Sequence, residues 1–494
     1  MNKTVIKKQN IYCIGIKGVG LTMLAQFLVK QGHQVSGSDI SDVFLTDKVL
    51  RASKIKVKTP FAVTNIPAQL DMIIYSSAYN KKNNVEMKFI ASNPERFKNI
   101  KLLSYAAALG EVFNNHDGVA VCGSHGKTTT SAWLGYVLWK SGKKPNVLVG
   151  SRVPQFAGSG LSGASSYLIA EVDEYQNKLQ YFQPRGVVLN NIDYDHPDFF
   201  KTKAAYLKVF ADFLKKVPPT GFLVINNSDR EIKKIKKLCR GKIISYEIAS
   251  ENKKQASVTP ARTTAKLGDE PANYVATDLK SAGDHQSFRL GYNKKDLGVF
   301  QISLLGRHNI ANALAVIAAA REMKVSSALI KKHLAGFRGT ERRAQILGSY
   351  QGATIIDDYA HHPTEIKATL AGLISRYPKR HICAVFHPHT FTRTKALFKD
   401  FVSSFSEVDE LIILDIYGSA REKQGGVSSR ELAMAITKFN QLHNIKQAIH
   451  YIPSIAQVVT YLRRQLVNED ILLLIGAGDV FRVAENLLKK VKKL

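Results

Sequence analysis

One segment of the sequence has the residues of a phosphate-binding loop. It directly follows the apolar residues 119–122 and reads Gly123-Ser124-His125-Gly126-Lys127-Thr128-Thr129. In such loops backbone N–H groups at a helix N-terminus hold phosphate oxygens, the lysine reaches the terminal phosphates, and the hydroxyl after it ligates Mg²⁺. The usual pattern has a further glycine at the position that Val121 occupies here. The segment therefore predicts a shortened ATP-binding loop, with a glycine-rich helix cap as the alternative.

Acidic side chains follow two further apolar, strand-like runs. They are Glu171, Asp173 and Glu174 after residues 167–170, and Asp193 and Asp195 after residues 186–189, where a histidine, His196, follows them. Ligands of open α/β sheets bind at the carboxyl ends of strands, and Mg²⁺ prefers oxygen ligands. Any one of these acids alone is as compatible with a solvated loop. Two clusters downstream of a phosphate loop indicate a metal-assisted nucleotide site.

Polar residues are densest in the last third of the chain. They follow two strand-like runs and comprise Asp357, Asp358, Tyr359, His361 and His362, then His387, His389, Thr392 and Arg393. Four histidines in two strand-end loops indicate a common cleft. Because no cysteine accompanies them and an arginine does, anion and substrate recognition is favoured over a metal site. Upstream, Asn309 lies where an alanine-rich helix begins, either as a cap or as a contact to base and ribose.

A second glycine-rich turn follows the first apolar run of the chain. Gly15, Gly18 and Gly20 follow residues 11–14, and Asp39 lies about 20 residues further on, as in a dinucleotide site. This turn alone is compatible with a dehydrogenase. The ATP-type loop downstream argues against that alternative.

Parallel sheets are needed to position these groups. Each glycine turn lies between a strand-like run and a helical pattern, which predicts two separate α/β domains. From about Gly336, continuous apolar strands alternate with helices, which indicates a third parallel sheet covered on both faces. The polar residues 250–301 predict hairpins or loops on the middle domain. We therefore expect an α/β protein of three domains, at residues 1–115, 116–336 and 337–494.

The global composition limits the function classes. Among the 494 residues, 70 Lys and Arg outweigh 40 Asp and Glu, for a net charge of +30. Nucleic acid is the first partner that such a charge suggests, but the lysines are dispersed and no aromatic-interleaved motif accompanies them, so we expect no nucleic-acid binding. There is no run long enough to span a membrane and no secretory signal, and the four cysteines are scattered singly. Cys13 and Cys122 fit buried strands, and the sequence favours the cytoplasm.

Six motifs, in this order, resemble the Mur ligases of peptidoglycan synthesis. They are Gly-Ser-His-Gly-Lys-Thr-Thr-Thr, Glu-Val-Asp-Glu, Asn-Ile-Asp-Tyr-Asp-His, Arg-His-Asn-x-x-Asn, Asp-Asp-Tyr-Ala-His-His-Pro-Thr-Glu and Pro-His-Thr-Phe-Thr-Arg. The resemblance extends from Gly15 to Gly478 and is strongest to the branch that adds L-alanine to UDP-N-acetylmuramate. It implies a Rossmann-like domain for the UDP substrate, a central ATP-binding domain, and a C-terminal domain that closes over both with the amino acid.

The resemblance also implies a reaction and a set of site residues. The lactyl carboxylate of UDP-N-acetylmuramate attacks the γ-phosphate of ATP, and the L-alanine amine attacks the resulting acyl phosphate. The implied catalytic residues are Lys127, His196, His361, His389 and Arg393. Those that would hold ATP are the loop from Gly123 to Thr129 with Asn309, Arg342 and Asp358, and those that would hold Mg²⁺ are Thr128, Glu171 and His196. Those that would hold the UDP substrate are Gly15, Gly18, Gly20, Asp39, Ser76 and Ser77.

Several positions depart from the family pattern. Lys17 replaces a glycine and either touches the diphosphate or is merely exposed, Leu21 replaces a methionine, and residues 174–177 differ from the common Glu-Ser-Asp. Phe210 stands where the later-acting Mur ligases carry a carbamylated lysine, consistent with the alanine-adding branch. The alternatives are a ligase that adds a whole tripeptide and an ATP-binding homologue without ligase activity. We expect a monomer or weak dimer.

Overall fold

The computed structural model describes residues 8–249, 271–418, 422 and 424–489. They form two compact units. The first comprises the described residues of Met1–Ile192, Leu207–Tyr246 and Ala315–His333, and the second those of Asp193–Tyr206, Glu247–Leu314 and Leu334–Leu494.

The first unit begins with a five-stranded parallel sheet. Its strands are β1 (Asn10–Ile14), β2 (Gln34–Ser38), β3 (Lys56–Lys58), β4 (Met72–Tyr75) and β5 (Lys101–Ser104), in the order β3-β2-β1-β4-β5. The helices are α1 (Val19–Lys30), α2 (Thr46–Ala52), α3 (Val85–Ser92), α4 (Pro94–Phe97) and α5 (Tyr105–Asn114). The strand order reverses at β1, so the glycine turn after β1 opens at the point where such sheets bind ligands. The predicted Rossmann-like arrangement is confirmed.

The same unit contains the main part of a second sheet. Its strands are β6 (Asp117–Cys122), β7 (Asn146–Val153), β8 (Gly158–Leu161), β9 (Tyr167–Glu171), β10 (Gly186–Leu189), β11 (Phe222–Asn226) and β12 (Lys242–Ile248), in the order β12-β11-β10-β6-β9-β7-β8. All neighbours are parallel except β7 and β8. The helices that follow in the chain are α6 (Lys127–Lys140), α7 (Lys203–Leu214), α8 (Arg230–Ile235), α9 (Arg307–Glu322) and α10 (Ser327–Leu334). Because β6 lies between β9 and β10, the loops after these three strands meet at one edge.

The second unit contains an antiparallel meander. Its strands are β13 (Tyr274–Ala282), β14 (His285–Tyr292) and β15 (Lys295–Ile302). Residues of β14 alternate between buried and more exposed positions, as expected for a sheet with one face in the core. The prediction of hairpins is confirmed for this part. Its first part, residues 250–270, lies outside the described residues.

A six-stranded sheet completes the second unit. Its strands are β16 (Gln345–Tyr350), β17 (Ala353–Asp358), β18 (Ile382–Phe386), β19 (Glu410–Ile413), β20 (Ala448–Tyr451) and β21 (Ile471–Ile475), in the order β16-β17-β21-β18-β19-β20. The helices are α11 (Pro363–Arg376), α12 (Phe391–Ala396), α13 (Phe398–Val402), α14 (Ser429–Leu442), α15 (Ile455–Gln465) and α16 (Arg482–Leu488). Only β16 is antiparallel to its neighbour. Buried apolar clusters lie on both faces, so the predicted third sheet, covered on both sides, is confirmed.

The cysteines and the helices agree with the composition. All four cysteines are buried and free, so the expectation that Cys13 and Cys122 lie in buried strands is confirmed. None of the helices in the described part of the chain combines the length and the apolar character that a bilayer span requires.

Candidate active site

The loop after β6 closes around the Lys127 ammonium. Gly123 and Gly126 have φ of +119° and +78°, a region that L side chains rarely adopt, and Gly126 is the N-cap of α6. Lys127 Nζ donates to the carbonyl oxygens of Gly123 at 2.5 Å and Ser124 at 3.0 Å. The predicted strand, glycine loop and helix are therefore present, and the contact of Lys127 with phosphate stays a prediction.

Asn191 holds this loop from the end of the neighbouring strand β10. Its Oδ1 accepts from the backbone N–H of His125 at 2.8 Å, and its carbonyl oxygen accepts from that of Ser124 at 3.1 Å. A Cβ on Gly123 would lie 2.7 Å from the same carbonyl, so position 123 requires glycine. Sequence reasoning missed this role of Asn191. The available signal was that an asparagine follows a strand whose end lies beside the phosphate loop.

Glu171 connects the end of β9 to the first turn of α6. Its Oε1 accepts from Thr128 Oγ1 at 2.8 Å, and its Oε2 accepts from the backbone N–H of Gly150 at 2.7 Å. A hydroxyl and a carboxylate oxygen side by side form a donor set of the kind that Mg²⁺ binds. Thr128 and Glu171 therefore fit a magnesium ion. Thr129 is buried in the same helical turn.

Two other carboxylates of this segment are paired with lysines. Glu174, which is fully buried, has its Oε2 3.5 Å from Lys127 Nζ. Lys178 Nζ donates to both oxygens of Asp173, at 2.8 and 2.9 Å. Glu171 accepts instead from a hydroxyl and a backbone N–H. Of these three carboxylates, Glu171 is the one best suited to a cation from outside.

Asp39 fixes the glycine turn of the first sheet. Its buried carboxylate accepts from the backbone N–H groups of Lys17 at 2.7 Å and Ile40 at 2.8 Å, and from the Tyr79 hydroxyl at 3.3 Å. Burial raises the pKa of Asp39, and these hydrogen bonds oppose the rise. In this structure the carboxylate positions the turn. Its contact with the substrate stays a prediction.

Lys17 is not an exposed substitution. It is 6% exposed, and its Nζ donates to the carbonyl oxygens of Ile40 at 2.9 Å and Asp42 at 2.7 Å. The suggestion that Lys17 is merely exposed is therefore wrong. The physical reason is that residues 40–42 fold over the turn and supply the ammonium with acceptors.

The remaining residues predicted for the UDP substrate surround the same turn. Gly18 immediately precedes α1, and Gly20 lies in the first turn of that helix. Ser76 follows β4, and a Cβ on Gly15 would lie 2.9 Å from the Ser76 Cβ. Ser77 is the next residue and is exposed. The structure brings Gly15 and Ser76 into contact, as the parallel order of β1 and β4 requires.

In the second unit, three histidines predicted for the site lie around a buried ion pair. Arg393 Nε lies 3.1 Å from Asp195 Oδ1, and Arg393 Nη1 lies 3.3 Å from His389 Nδ1. The backbone N–H of His196 donates to Asp195 at 2.7 Å, and the ring centroids of His361 and His389 are 6.2 Å apart. The structure therefore brings His196, His361, His389 and Arg393, all predicted to be catalytic, together around Asp195. Sequence reasoning gave Asp195 no role of its own, although it lies within the quoted motif.

Charge states in this cluster follow from burial. Burial is the largest cause that lowers the pKa of His361 to about 4 and that of His389 to about 3, and the nearby Arg393 acts in the same direction. Burial alone would raise the pKa of Asp195, but Arg393 and His196 outweigh it and hold that pKa well below its usual range. At neutral pH the cluster therefore combines an ion pair with two uncharged imidazoles.

Three residues predicted to hold the nucleotide make local bonds in the second unit. Asn309 Nδ2 donates from the first turn of α9 to the Leu305 carbonyl at 2.7 Å. Arg342 Nε donates to Asp357 at 3.0 Å, not to Asp358. Burial raises the pKa of Asp357 to about 6 although Arg342 opposes it. Contacts of these residues with ATP stay predictions.

Asp358 receives two backbone hydrogen bonds. Ala344 N donates to its Oδ2 at 2.7 Å and Ala360 N donates to its Oδ1 at 2.8 Å. The carboxylate thus ties the loop before β16 to the loop after β17, which places residues 342–344 at the carboxyl end of the sheet.

Family models match three consecutive segments of the chain. The Mur ligase family, catalytic domain, matches residues 10–117, the Mur ligase middle domain matches residues 121–320, and the Mur ligase, glutamate ligase domain, matches residues 342–478.

Individual proteins match over nearly the whole length. The UDP-N-acetylmuramate--L-alanine ligase of Desulfitobacterium hafniense (strain Y51) is 35% identical over 481 residues, covering 97% of this chain and 99% of the relative. That of Aquifex aeolicus (strain VF5) is 33% identical over 486 residues, covering 98% of each.

Solved structures share the fold. The UDP-N-acetylmuramate-alanine ligase of Thermotoga maritima aligns with a TM-score of 0.78 at 20% identity, covering 98% of this chain and 99% of that one. A murein peptide ligase of Psychrobacter arcticus 273-4 aligns with a TM-score of 0.71, also at 20% identity, covering 98% and 100%. Because the sequence relatives cover almost all of the chain at more than 30% identity, and the phosphate loop and strand-end carboxylate are in place, the chain belongs to the Mur ligase family.

Proposed function

We propose that the chain joins L-alanine to the lactyl carboxylate of UDP-N-acetylmuramate, converting ATP to ADP and phosphate in the synthesis of peptidoglycan precursors. The observation that carries this proposal is the arrangement of Lys127, Thr128 and Glu171 at adjacent strand ends. The relatives named above, at 33 and 35% identity, are ligases of this specificity.

The first step forms an acyl phosphate. A lactyl carboxylate oxygen attacks the γ-phosphorus of ATP, and the bond from that phosphorus to the β–γ bridging oxygen breaks, releasing ADP. Backbone N–H groups at the start of α6 and the Lys127 ammonium bind the phosphate oxygens. Thr128 and Glu171 would hold Mg²⁺, with His196 as a further ligand, and the ion would neutralise charge on the phosphates. Since every reacting group is anionic, charge neutralisation and positioning supply most of the catalysis.

The second step forms the amide. The L-alanine amine attacks the acyl carbon and loses a proton, and the carbon–oxygen bond to phosphate then breaks. In our proposal the cluster of His361, His389 and Arg393 binds the acceptor and the sugar acid. Arg393 remains charged beside Asp195, and the imidazoles with lowered pKa remain neutral hydrogen-bonding groups.

The proposed organisation follows the family segments. Residues 1–115 bind the UDP substrate, residues 116–336 bind ATP, and residues 337–494 close over both. The four free cysteines are consistent with a reducing compartment, and we place the protein in the cytoplasm as a monomer or weak dimer that binds no nucleic acid. Light scattering of the purified chain measures its mass and tests the oligomeric state.

An acceptor screen tests the proposed reaction. The chain is incubated with UDP-N-acetylmuramate, ATP and Mg²⁺, and with L-alanine, glycine, L-serine or the murein tripeptide, and products are identified by mass spectrometry. We expect the L-alanine product. A product with the tripeptide but not with L-alanine would establish the tripeptide-adding alternative, and no product with any acceptor would contradict a ligase.

A further inference from the structure

Tyr105 lies directly on the glycine turn of the first sheet. It is the first residue of α5, which begins where β5 ends, and Gly20 is in the first turn of α1. A Cβ on Gly20 would lie 2.7 Å from both Cζ and the hydroxyl oxygen of Tyr105. The tyrosine ring therefore occupies the space that a side chain at position 20 would need, and its hydroxyl end is the part nearest the turn.

Two carboxylates at the end of β9 act electrostatically on the same phenol. Burial is the main cause of a raised pKa of Tyr105, and the carboxylates of Asp173 and Glu171 raise it further. All of these residues belong to the first unit. One phenol thus lies against the turn predicted to receive the UDP substrate and within the electrostatic influence of the carboxylate that fits Mg²⁺. It stays protonated over the physiological pH range.

Within the residues that the structure describes, the Tyr105 hydroxyl has no hydrogen-bond partner, and the residue is half-buried. By contrast, the Tyr12 hydroxyl in the same unit donates to Glu86 at 3.2 Å, and that of Tyr79 donates to Asp39 at 3.3 Å. Because the phenol is only half-buried and makes no hydrogen bond within the described residues, it is free to donate to a ligand that binds over the glycine turn.

We propose that the Tyr105 hydroxyl donates a hydrogen bond to an anionic oxygen of the UDP-sugar substrate where that substrate lies over the first glycine turn. This assignment rests on the proposed function. A neutral donor suits that position, because a lysine there would pair with Asp173 or Glu171 and compete with the metal ion. The acceptor is a diphosphate oxygen or the lactyl carboxylate, which offer the same chemistry.

The test compares Tyr105→Phe with the wild-type chain by calorimetric titration of UDP-N-acetylmuramate without ATP. We expect the dissociation constant to rise about tenfold, the size of a hydrogen bond to a charged acceptor, while the KM for ATP stays unchanged. Tyr167→Phe is the matched control, because Tyr167 is a half-buried tyrosine at the opposite end of β9. Titration of both proteins with UDP-N-acetylglucosamine, which lacks the lactyl group, identifies the acceptor. If Tyr105→Phe weakens its binding as much as that of UDP-N-acetylmuramate, the acceptor is the diphosphate. If Tyr105→Phe does not weaken its binding, the acceptor is the lactyl carboxylate.

Equal binding of UDP-N-acetylmuramate by Tyr105→Phe and the wild type would overturn the role of Tyr105 and leave the ligase proposal intact. A wild-type chain that binds no UDP-N-acetylmuramate would overturn both.

A second set of variants tests the contact between Tyr105 and Gly20. Gly20→Ala should weaken binding in the wild-type background and much less in a Tyr105→Ala background, because the ring it clashes with is gone. If Gly20→Ala weakened substrate binding equally in both backgrounds, the contact between Gly20 and the Tyr105 ring would be contradicted.

Discussion

Asp195 and Arg393 form a buried ion pair between positions 198 residues apart in the sequence. The side chains are each 7% exposed, and the guanidinium Nε lies 3.1 Å from the carboxylate Oδ1. Asp195 also accepts from the backbone N–H of His196, and Arg393 contacts His389. Because each charge needs the other when water is excluded, the pair fixes the positions of both histidines.

Asp195→Asn should destabilise the protein by about 3–5 kcal/mol, because it leaves the Arg393 guanidinium buried without a counter-charge. Urea unfolding of the variant and the wild type measures the difference, and ligase activity should fall with it because His196 and His389 lose their common support. Asp296→Asn is the control, since Asp296 pairs with Arg289 at an exposed position of the same unit and should matter little. Equal stability of Asp195→Asn and the wild type would show that the buried pair does not form.

Lys127→Ala should reduce ATP-dependent product formation about a hundredfold or more. The Lys127 ammonium donates to the carbonyls of Gly123 and Ser124, inside the loop where we expect phosphate to bind. The methyl group of alanine cannot replace the positive charge of the ammonium. Steady-state rates of ADP release measure the effect. Lys140→Ala, at the other end of the same helix, is the control and should retain activity. Near-normal turnover of Lys127→Ala would show that the phosphate site lies elsewhere.

The features predicted from sequence are local ones. A strand followed by glycines and then a helix is a continuous pattern, so the turns after β1 and β6 could be located residue by residue. The carboxylates after β9 were predicted for the same reason, because the carboxyl ends of parallel strands meet at one edge of a sheet.

The missed features depend on which distant elements are neighbours. Asn191 holds the phosphate loop only because β10 pairs with β6, a relationship that no single sequence shows. Asp195 acquires its role from Arg393, and Lys17 is buried because residues 40–42 fold over it. In each case the residue type was visible, but its partner was far away in the sequence.

Glu171→Gln should raise the Mg²⁺ concentration needed for half-maximal activity by about tenfold or more. The amide oxygen of glutamine can accept from the Gly150 N–H while its NH₂ group donates to the Thr128 hydroxyl oxygen, so the change removes charge while preserving shape. Titration of activity with Mg²⁺ at saturating ATP measures the shift. Asp117→Asn is the control, because Asp117 begins β6 at the opposite edge and pairs with Arg185. An unchanged Mg²⁺ requirement would remove Glu171 from the metal site.

His361 and His389 should make the protein less stable as pH falls from about 6.5 towards 4. Their pKa values are lowered to about 4 and about 3 in the folded protein, mainly by burial, so the unfolded chain binds protons in this window and the folded protein does not. The free energy of unfolding from urea titrations at pH 7.5, 6.5, 5.5 and 4.5 measures the slope. His361→Gln should reduce the slope most below pH 6.5 and less between pH 6.5 and 7.5, where the unfolded histidine goes from about half charged to largely neutral. A variant with the wild-type slope below pH 6.5 would contradict a buried, neutral His361.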